Sequence, residues 1–335
     1  MVGIDIGSKS IKIVELVGSV GKFQLKSSGA VGYTGLSPDK MTEEKDFVAL
    51  SLILKKIIKQ IGITSKEVNI ALPEPLVFTR VIKFPLLSDE EVNSAIKWEA
   101  EQYIPIPINE AIIQYSILSK NETTASTSVL LVAAPKVVVE KYVKIVRLAG
   151  LTPVSAETEL TALARSISPE KGVSLLLDLG ASSVDMAITR DSKVIFTRSI
   201  PVAGETFTRA VSQSLGINMQ QAEEYKKTYG LSGTQLEGKV KIALEPIFKM
   251  VTDEIKKAIH FFQSEEKEEA PTTIIISGGS SLTPELVSYL TEVLGLETVS
   301  GNPFNKVAVD PETSKSLAPY ISIYGTAVGL AMLEG

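Results

Sequence analysis

The chain has 335 residues, enough for two domains or for one fold built of two lobes. With 44% hydrophobic and 22% charged residues it holds ordinary globular material, which excludes a disordered or fibrous chain. Its 34 Lys and Arg against 39 Asp and Glu leave a net charge of −5 with the basic residues scattered, arguing against nucleic-acid binding, and the absence of cysteine with a single histidine, His260, excludes disulfides, thiol chemistry, zinc fingers and histidine-rich metal sites.

The first segment, Met-Val-Gly-Ile-Asp-Ile-Gly, lacks the basic and apolar regions of a secretory signal, so the chain is expected to stay inside the cell. A strand running into Asp5, a small-residue turn and a second alternating strand read as a hairpin, followed by a third strand over 23–33. Residues 43–61 form an amphipathic helix with Phe47, Leu50, Leu54, Ile57, Ile58 and Ile61 on one face, closed by Gly62. Residues 75–150 read as a unit of their own, β-α-β-β-α. Its first helix is opened by the capping box Ser88-Asp89-Glu90-Glu91, Pro105 and Pro107 stop that helix, and a Ser/Thr-rich turn spans 121–128. Trp98 and Tyr103 on that helix are expected in its core.

The second half repeats the opening: residues 4–14, Ile-Asp-Ile-Gly-Ser-Lys-Ser-Ile-Lys-Ile-Val, align with residues 177–187, Leu-Asp-Leu-Gly-Ala-Ser-Ser-Val-Asp-Met-Ala. Helices follow over 206–262, where His260 is expected to be packed beside Phe261 and Phe262, and the charged stretch 263–270 is expected to be a solvated connection. A buried strand over 272–277 then meets Gly278-Gly279-Ser280-Ser281. The last element, 320–333, reads as a helix whose Gly325 and Gly329 let it lie against the first hairpin. Its apolar run over 321–333 is short of the roughly 20 residues of a membrane span, so no direct membrane insertion is expected.

A strand ending in Asp and a turn of small residues is suited to phosphate: turn amides can point at phosphate oxygens, and the carboxylate can hold the waters of a magnesium ion. Two such hairpins in two halves can grip one polyphosphate from both sides. The glycine-rich segment at 278–280 leaves room for a nucleoside.

This ordered set resembles the superfamily of actin, Hsp70 and the sugar kinases. The resemblance implies an α/β fold, two-lobed, actin-like (ribonuclease H-like), binding ATP with Mg2+. Phosphate 1 would be 3–13, connect 1 157–166, phosphate 2 175–188, the adenosine motif 276–284 and connect 2 324–332. Asp5 and Asp178 would hold magnesium through water; Gly7, Ser8, Lys9 and Ser10, and Gly180, Ala181, Ser182 and Ser183, would contact phosphates, with Asp185 supporting the second turn. Glu159 is the candidate acid that polarises water, with Glu157 as the alternative. Gly204 stands in the Ala203-Gly204-Glu205 turn near the γ-phosphate, Glu223 and Lys226 would bracket ribose and adenine, and Gly278, Gly279 and Ser280 would receive the nucleoside. Lys9 as an exposed turn lysine, and Glu223 with Lys226 as a surface ion pair, are the plain alternatives. Phosphate 2 departs from the pattern of vigorous hydrolases, with Ala-Ser-Ser for Gly-Gly-Thr, and Ala203 replaces a glycine, so slow or no hydrolysis is expected.

The segment 75–150 sits where the FtsA family has its inserted subdomain. The wording of Phe84-Pro-Leu-Leu-Ser-Asp-Glu-Glu, Ile96-Lys-Trp-Glu-Ala-Glu-Gln-Tyr-Ile-Pro, Ala149-Gly-Leu-Thr-Pro and Ile259-His-Phe-Phe-Gln-Ser resembles the PilM family of type IV pilus assembly proteins. That resemblance implies a first lobe at 1–74, the insert at 75–150, connect 1 at 151–170, a second-lobe core at 171–203 and 272–318, a helical subdomain at 204–271 and a returning helix at 319–335. It further implies a cytoplasmic scaffold that holds the N-terminal cytoplasmic tail of the membrane protein PilN in a groove between first lobe and insert. Recruitment to the inner membrane would come through that partner, and contacts with other components of the pilus inner-membrane complex are implied as well. Self-association stays open. The alternatives are an FtsA-like filament-forming protein and a small-molecule kinase.

Overall fold

The computed structural model describes residues 1–123, 125–264 and 269–333. The chain begins with an antiparallel meander, β1 (Val2–Ile6), β2 (Ser10–Val17) and β3 (Phe23–Gly32), followed by α1 (Glu44–Gln60) and by β4 (Glu67–Leu72), which pairs parallel to β1. It then leaves this sheet through β5 (Phe78–Pro85), α2 (Asp89–Tyr103), β6 (Ala111–Asn121), β7 (Ser126–Pro135) and α3 (Lys136–Leu148). It returns as β8 (Thr152–Thr158), parallel to β4, and passes into α4 (Glu159–Ile167).

The second half repeats the plan with a meander of β9 (Val173–Leu179), β10 (Val184–Arg190) and β11 (Lys193–Ile200). The helices α5 (Gly204–Leu215), α6 (Met219–Tyr229) and α7 (Lys239–Ser264) come next. Then follow β12 (Thr273–Ser277), α8 (Leu286–Leu294) and β13 (Glu297–Ser300), and finally β14 (Val307–Ala308), α9 (Pro311–Leu317) and α10 (Gly325–Ala331). The strand orders are β14-β3-β2-β1-β4-β8 and β11-β10-β9-β12-β13. Without the short β14 the two sheets have one topology: an antiparallel meander whose first strand continues into two parallel strands.

Buried apolar side chains of strands and covering helices make the centres. Ile4, Ile11, Ile13, Leu54, Ile70 and Ile145 pack in the first lobe, and Leu175, Leu177, Phe207, Phe248 and Ile276 in the second. Each such side chain contributes roughly 1.5–3 kcal/mol by leaving water. The insert has a separate core in which α2 sets Val92, Ile96 and Ala100 against Val129 and Leu131 of the sheet β5-β7-β6. The capping box of α2 is formed, with Ser88 Oγ accepting from the Glu91 amide and Glu91 Oε2 accepting from the Ser88 amide at 2.8 Å. Helix α3 directs Val138, Tyr142, Ile145 and Val146 into the first-lobe core rather than into that of the insert.

Several expectations need correction. Trp98 is not a core residue: it is 74% exposed, because Val92, Ile96 and Ala100 define the buried stripe of α2 and position 98 falls outside it. Tyr103 is partly buried and stacks under Arg80, whose guanidinium lies 4.0 Å from the ring. His260 is exposed on α7, and of its neighbours only Phe262 is buried. The charged connection at 263–270 starts inside α7, and residues 265–268 lie outside the described residues. The final element is a 3-10 segment, Ala318–Tyr324, ahead of the α-helical α10. Among the described residues no helix is long and apolar enough to cross a membrane.

Candidate functional site

The two repeated hairpins have the same local geometry. The Gly7 amide donates to the Ser10 carbonyl at 3.0 Å, and the Gly180 amide donates to the Ser183 carbonyl at 3.0 Å. The turns meet directly: Ser182 Oγ donates to Ser8 Oγ at 2.6 Å, and Lys9 pairs with Glu205 at 2.9 Å across the same gap. Tyr33 braces the first turn, its hydroxyl donating to the Gly7 carbonyl at 2.7 Å.

The strand-end acids differ in how they are held. Asp5 lies opposite Lys12 in the β1–β2 register, and Lys12 Nζ donates to Asp5 Oδ2 at 2.9 Å. Asp5 Oδ1 is buried without a partner. Desolvation works against the Lys12 charge, but Asp5, with Asp178 and Glu159 beyond it, outweighs this and holds the ammonium above the usual lysine pKa. Asp178 lies opposite Asp185 instead. Desolvation pushes the Asp178 carboxyl up to about 7; Lys12 opposes this, while Asp185 and Asp5 add to it. Asp185 is itself buried and raised by desolvation, with bonds from Ser199 and Ser183 working the other way.

Glu159 and Glu157 part at the junction of β8 and α4. Glu157 is clamped by Arg165 through a two-pronged pair at 2.5 and 2.7 Å, and that guanidinium also donates to the Gly329 carbonyl. Glu159, one residue after the N-cap Thr158, instead belongs to the acid cluster: desolvation first, then Asp5, Asp185 and Asp178, hold its carboxyl well above the usual range. Its Oε2 accepts the Glu74 amide at 3.2 Å.

The glycine-rich segment touches the second hairpin closely. A Cβ on Gly278, whose φ is +87°, would fall 2.3 Å from Asp178 Oδ1, so no other residue fits there without moving the acid. Ser280 Oγ donates to the Gly180 carbonyl at 3.0 Å, and a Cβ on Gly204 would meet that hydroxyl at 2.7 Å. Around Gly279 the space is open. On α6, the Lys226 ammonium is buried and donates to the Gly204 carbonyl and Thr208 Oγ1 at the start of α5 and to Glu223 Oε2 on its own helix. Glu223 is partly exposed and also pairs with Lys227. The pair therefore anchors the Gly204 turn in this conformation, and Glu223 is the member still open to solvent.

The connecting helices cross at bare backbone. A Cβ on Gly329 would sit 1.8 Å from the Ala162 carbonyl oxygen, and one on Gly325 would sit 2.3 Å from Leu163 Cδ1, so the glycines of α10 face α4. The first hairpin is approached instead through its own Gly3, where a Cβ would meet the Ala327 carbonyl at 2.2 Å.

Three residues of the site went unread or underread in the sequence. Lys12 was readable: a turn over 7–10 sets residue 12 opposite residue 5. Asp185 occupies the equivalent place in the repeat. Glu74 carries no sequence signal, since only tertiary packing brings it to the cleft. Among the described residues no group of three or more acids or histidines is placed to bind a metal ion directly. A divalent cation that keeps most of its waters needs hard oxygen acceptors and negative charge. The partnerless Asp5 Oδ1 and Asp178, which faces another acid across the strands, fit that demand in hard oxygen donors.

The family description that the chain matches, over residues 3–334, is type IV pilus assembly protein PilM. Among solved structures, a PilM-PilN type IV pilus biogenesis complex is similar with a TM-score of 0.84 and 28% identity over 99% of this chain and 97% of that one. MreB5 of Spiroplasma citri bound to ADP, at a TM-score of 0.52 and 15% identity over 98% of this chain and 94% of that one, shares the actin-like fold. Among curated proteins, the cell division protein FtsA of Pseudomonas aeruginosa is 25% identical over 99% of this chain and 88% of its own length.

Proposed function

The chain belongs to the PilM family of type IV pilus assembly proteins, and from that premise we propose that it is an ATP-binding scaffold that holds the N-terminal tail of PilN between its first lobe and its insert. The observation that carries the nucleotide half of this reading is the paired closure of the hairpins, with the same amide-to-carbonyl bond in each turn and the two strand-end acids, Asp5 and Asp178, in one charge cluster. The partner half is supported by the similar PilM-PilN complex. Gly7, Ser8, Lys9 and Ser10 on one side, and Gly180, Ala181, Ser182 and Ser183 on the other, offer amides and hydroxyls to phosphate oxygens, while Lys12 supplies a fixed positive charge beneath them. Gly278, Gly279 and Ser280 line the nucleoside side, with Gly204 held in place by Lys226 and with Glu223 at the edge. When bound through water to Asp5 and Asp178, magnesium would supply the charge that offsets triphosphate and carboxylates together.

Entry of nucleotide has to replace the Ser8–Ser182 and Lys9–Glu205 contacts with contacts to phosphate, so the lobes become joined through the ligand. Slow or absent hydrolysis follows from Glu159, the candidate general base. A base must be deprotonated to accept a proton, and burial, with the surrounding acids adding to it, favours its protonated form. The expected turnover lies below about 1 s⁻¹, slower than an ordinary kinase.

Calorimetric titration of a PilN-tail peptide into the protein with and without Mg-ATP tests the proposal. Binding of both ligands, with each strengthening the other by the same factor, is expected. Failure to bind either ligand, or steady-state hydrolysis faster than about 1 s⁻¹, would overturn the corresponding half.

A further inference from the structure

Glu74 lies on the crossover from β4 to β5, between Pro73 and Pro75, where the chain passes from the first lobe into the insert. It is 4% exposed, yet neither of its carboxylate oxygens has a hydrogen-bond partner. Thr79 Oγ1, on the first strand of the insert, is also buried without a partner. The hydroxyls of Thr79 and Thr158 and the Leu160 amide face the carboxyl without a bond of good geometry. Desolvation, with Asp185 adding to it, pushes the group up to about 7. Below neutral pH such a carboxyl is carried as the neutral acid, which has an O–H to donate as well as oxygens to accept. The same residue's amide holds Glu159 Oε2 at 3.2 Å.

One residue thus touches the cleft with its backbone and faces the insert with its side chain. Few buried polar groups in a folded protein go without partners, and here two of them face each other across the seam between lobe and insert. A small displacement of β5 would close a bond between the Glu74 carboxyl and the Thr79 hydroxyl. Because the prolines on either side restrict the crossover, that displacement would be felt at the Glu74 amide, and so at Glu159.

We infer that Glu74 is a positioning residue that links the seating of the insert to the setting of Glu159, through the Thr79 hydroxyl on one side and its own amide on the other. The inference rests on the proposed function and names how the nucleotide and peptide sites are coupled. A segment bound against the insert biases β5, the Glu74–Thr79 pair reports that bias to the crossover, and Glu159 is held or released in the cleft. The converse path runs from nucleotide to insert.

The test measures Mg-ATP affinity with and without a saturating synthetic PilN-tail peptide, in wild type and in Glu74→Ala, Glu74→Gln and Thr79→Val. Wild type is expected to show a coupling factor of several fold. Glu74→Ala and Thr79→Val should bring that factor to about one while each ligand alone binds within about threefold of wild type. Glu74→Gln, neutral and still able to donate and accept, should restore coupling. A merely structural role would lower both affinities together, with a lower melting temperature, and would leave their ratio unchanged. Coupling that persists in Thr79→Val, or that is lost in Glu74→Gln as fully as in Glu74→Ala, would overturn the inference. Wild type that binds both ligands without coupling would overturn it too and leave the binding assignments standing, whereas wild type that binds neither would overturn both.

Discussion

In the first hairpin the residue facing the strand-end acid is Lys12; in the second, at the equivalent position, it is Asp185. Backbone, register and closing bond are otherwise shared. The first lobe therefore neutralises its own carboxylate with an ammonium 2.9 Å away, while the second presents two acids to each other and leaves Asp178 raised to about 7. One half of the site meets a cation within its own strands, although Asp5 Oδ1 is left without a partner. The other half is balanced only by what comes from outside, Lys12 across the cleft or a cation brought with the ligand. A duplicated framework thus gains a polarity that neither copy has alone: the first acid faces an ammonium and the second faces another acid.

Three changes would break or sharpen that contrast. Lys12→Met removes the positive charge paired with Asp5 and strands a buried carboxylate, which should cost about 3–5 kcal/mol in denaturant unfolding. Adding Asp5→Asn to the same chain should regain most of that loss; a single variant as stable as wild type would contradict the pairing. The second change is in pH. The acids of the second hairpin hold protons in the folded state that the unfolded chain has already lost. Stability of the ligand-free protein should therefore fall as pH rises from about 4 to about 7, by on the order of a few kcal/mol, and then level off. Asp178→Asn should reduce this slope in a pH series of melting curves, leaving the parts due to Asp185, Glu159 and Glu74. The smallest effect belongs to Ser182→Ala, which removes the hydroxyl contact between the turns. Thermal unfolding should show a loss of about 1 kcal/mol or less, disappearing once Mg-ATP is bound.

The hairpins were legible because turn chemistry and strand alternation are local, so the repeat at 4–14 and 177–187 could be aligned directly. Gly278 was legible for the same reason. The strands β4, β8 and β13 were not read, because they are short and mix polar residues such as Asn69, Ser155 and Thr298 with apolar ones, so only their parallel pairing defines them. Glu157 and Glu159 differ in which way each side chain leaves a strand-to-helix junction, a tertiary matter: Arg165 claims Glu157, and Glu159 turns to the acid cluster. Lys226 looked like a ligand to the nucleoside; its neighbours in space, Thr208 and the Gly204 carbonyl, lie on another helix and were invisible in the local pattern. Trp98 shows the opposite error, a general preference of aromatic residues for cores overridden by the position of one stripe on α2.

The central claim is that both hairpins serve one triphosphate. Calorimetric titration of Mg-ATP into wild type, Asp5→Asn and Asp178→Asn tests it most directly. The account predicts a single site per chain in wild type and at least tenfold weaker binding in each variant. Binding of unchanged strength in either variant would contradict it.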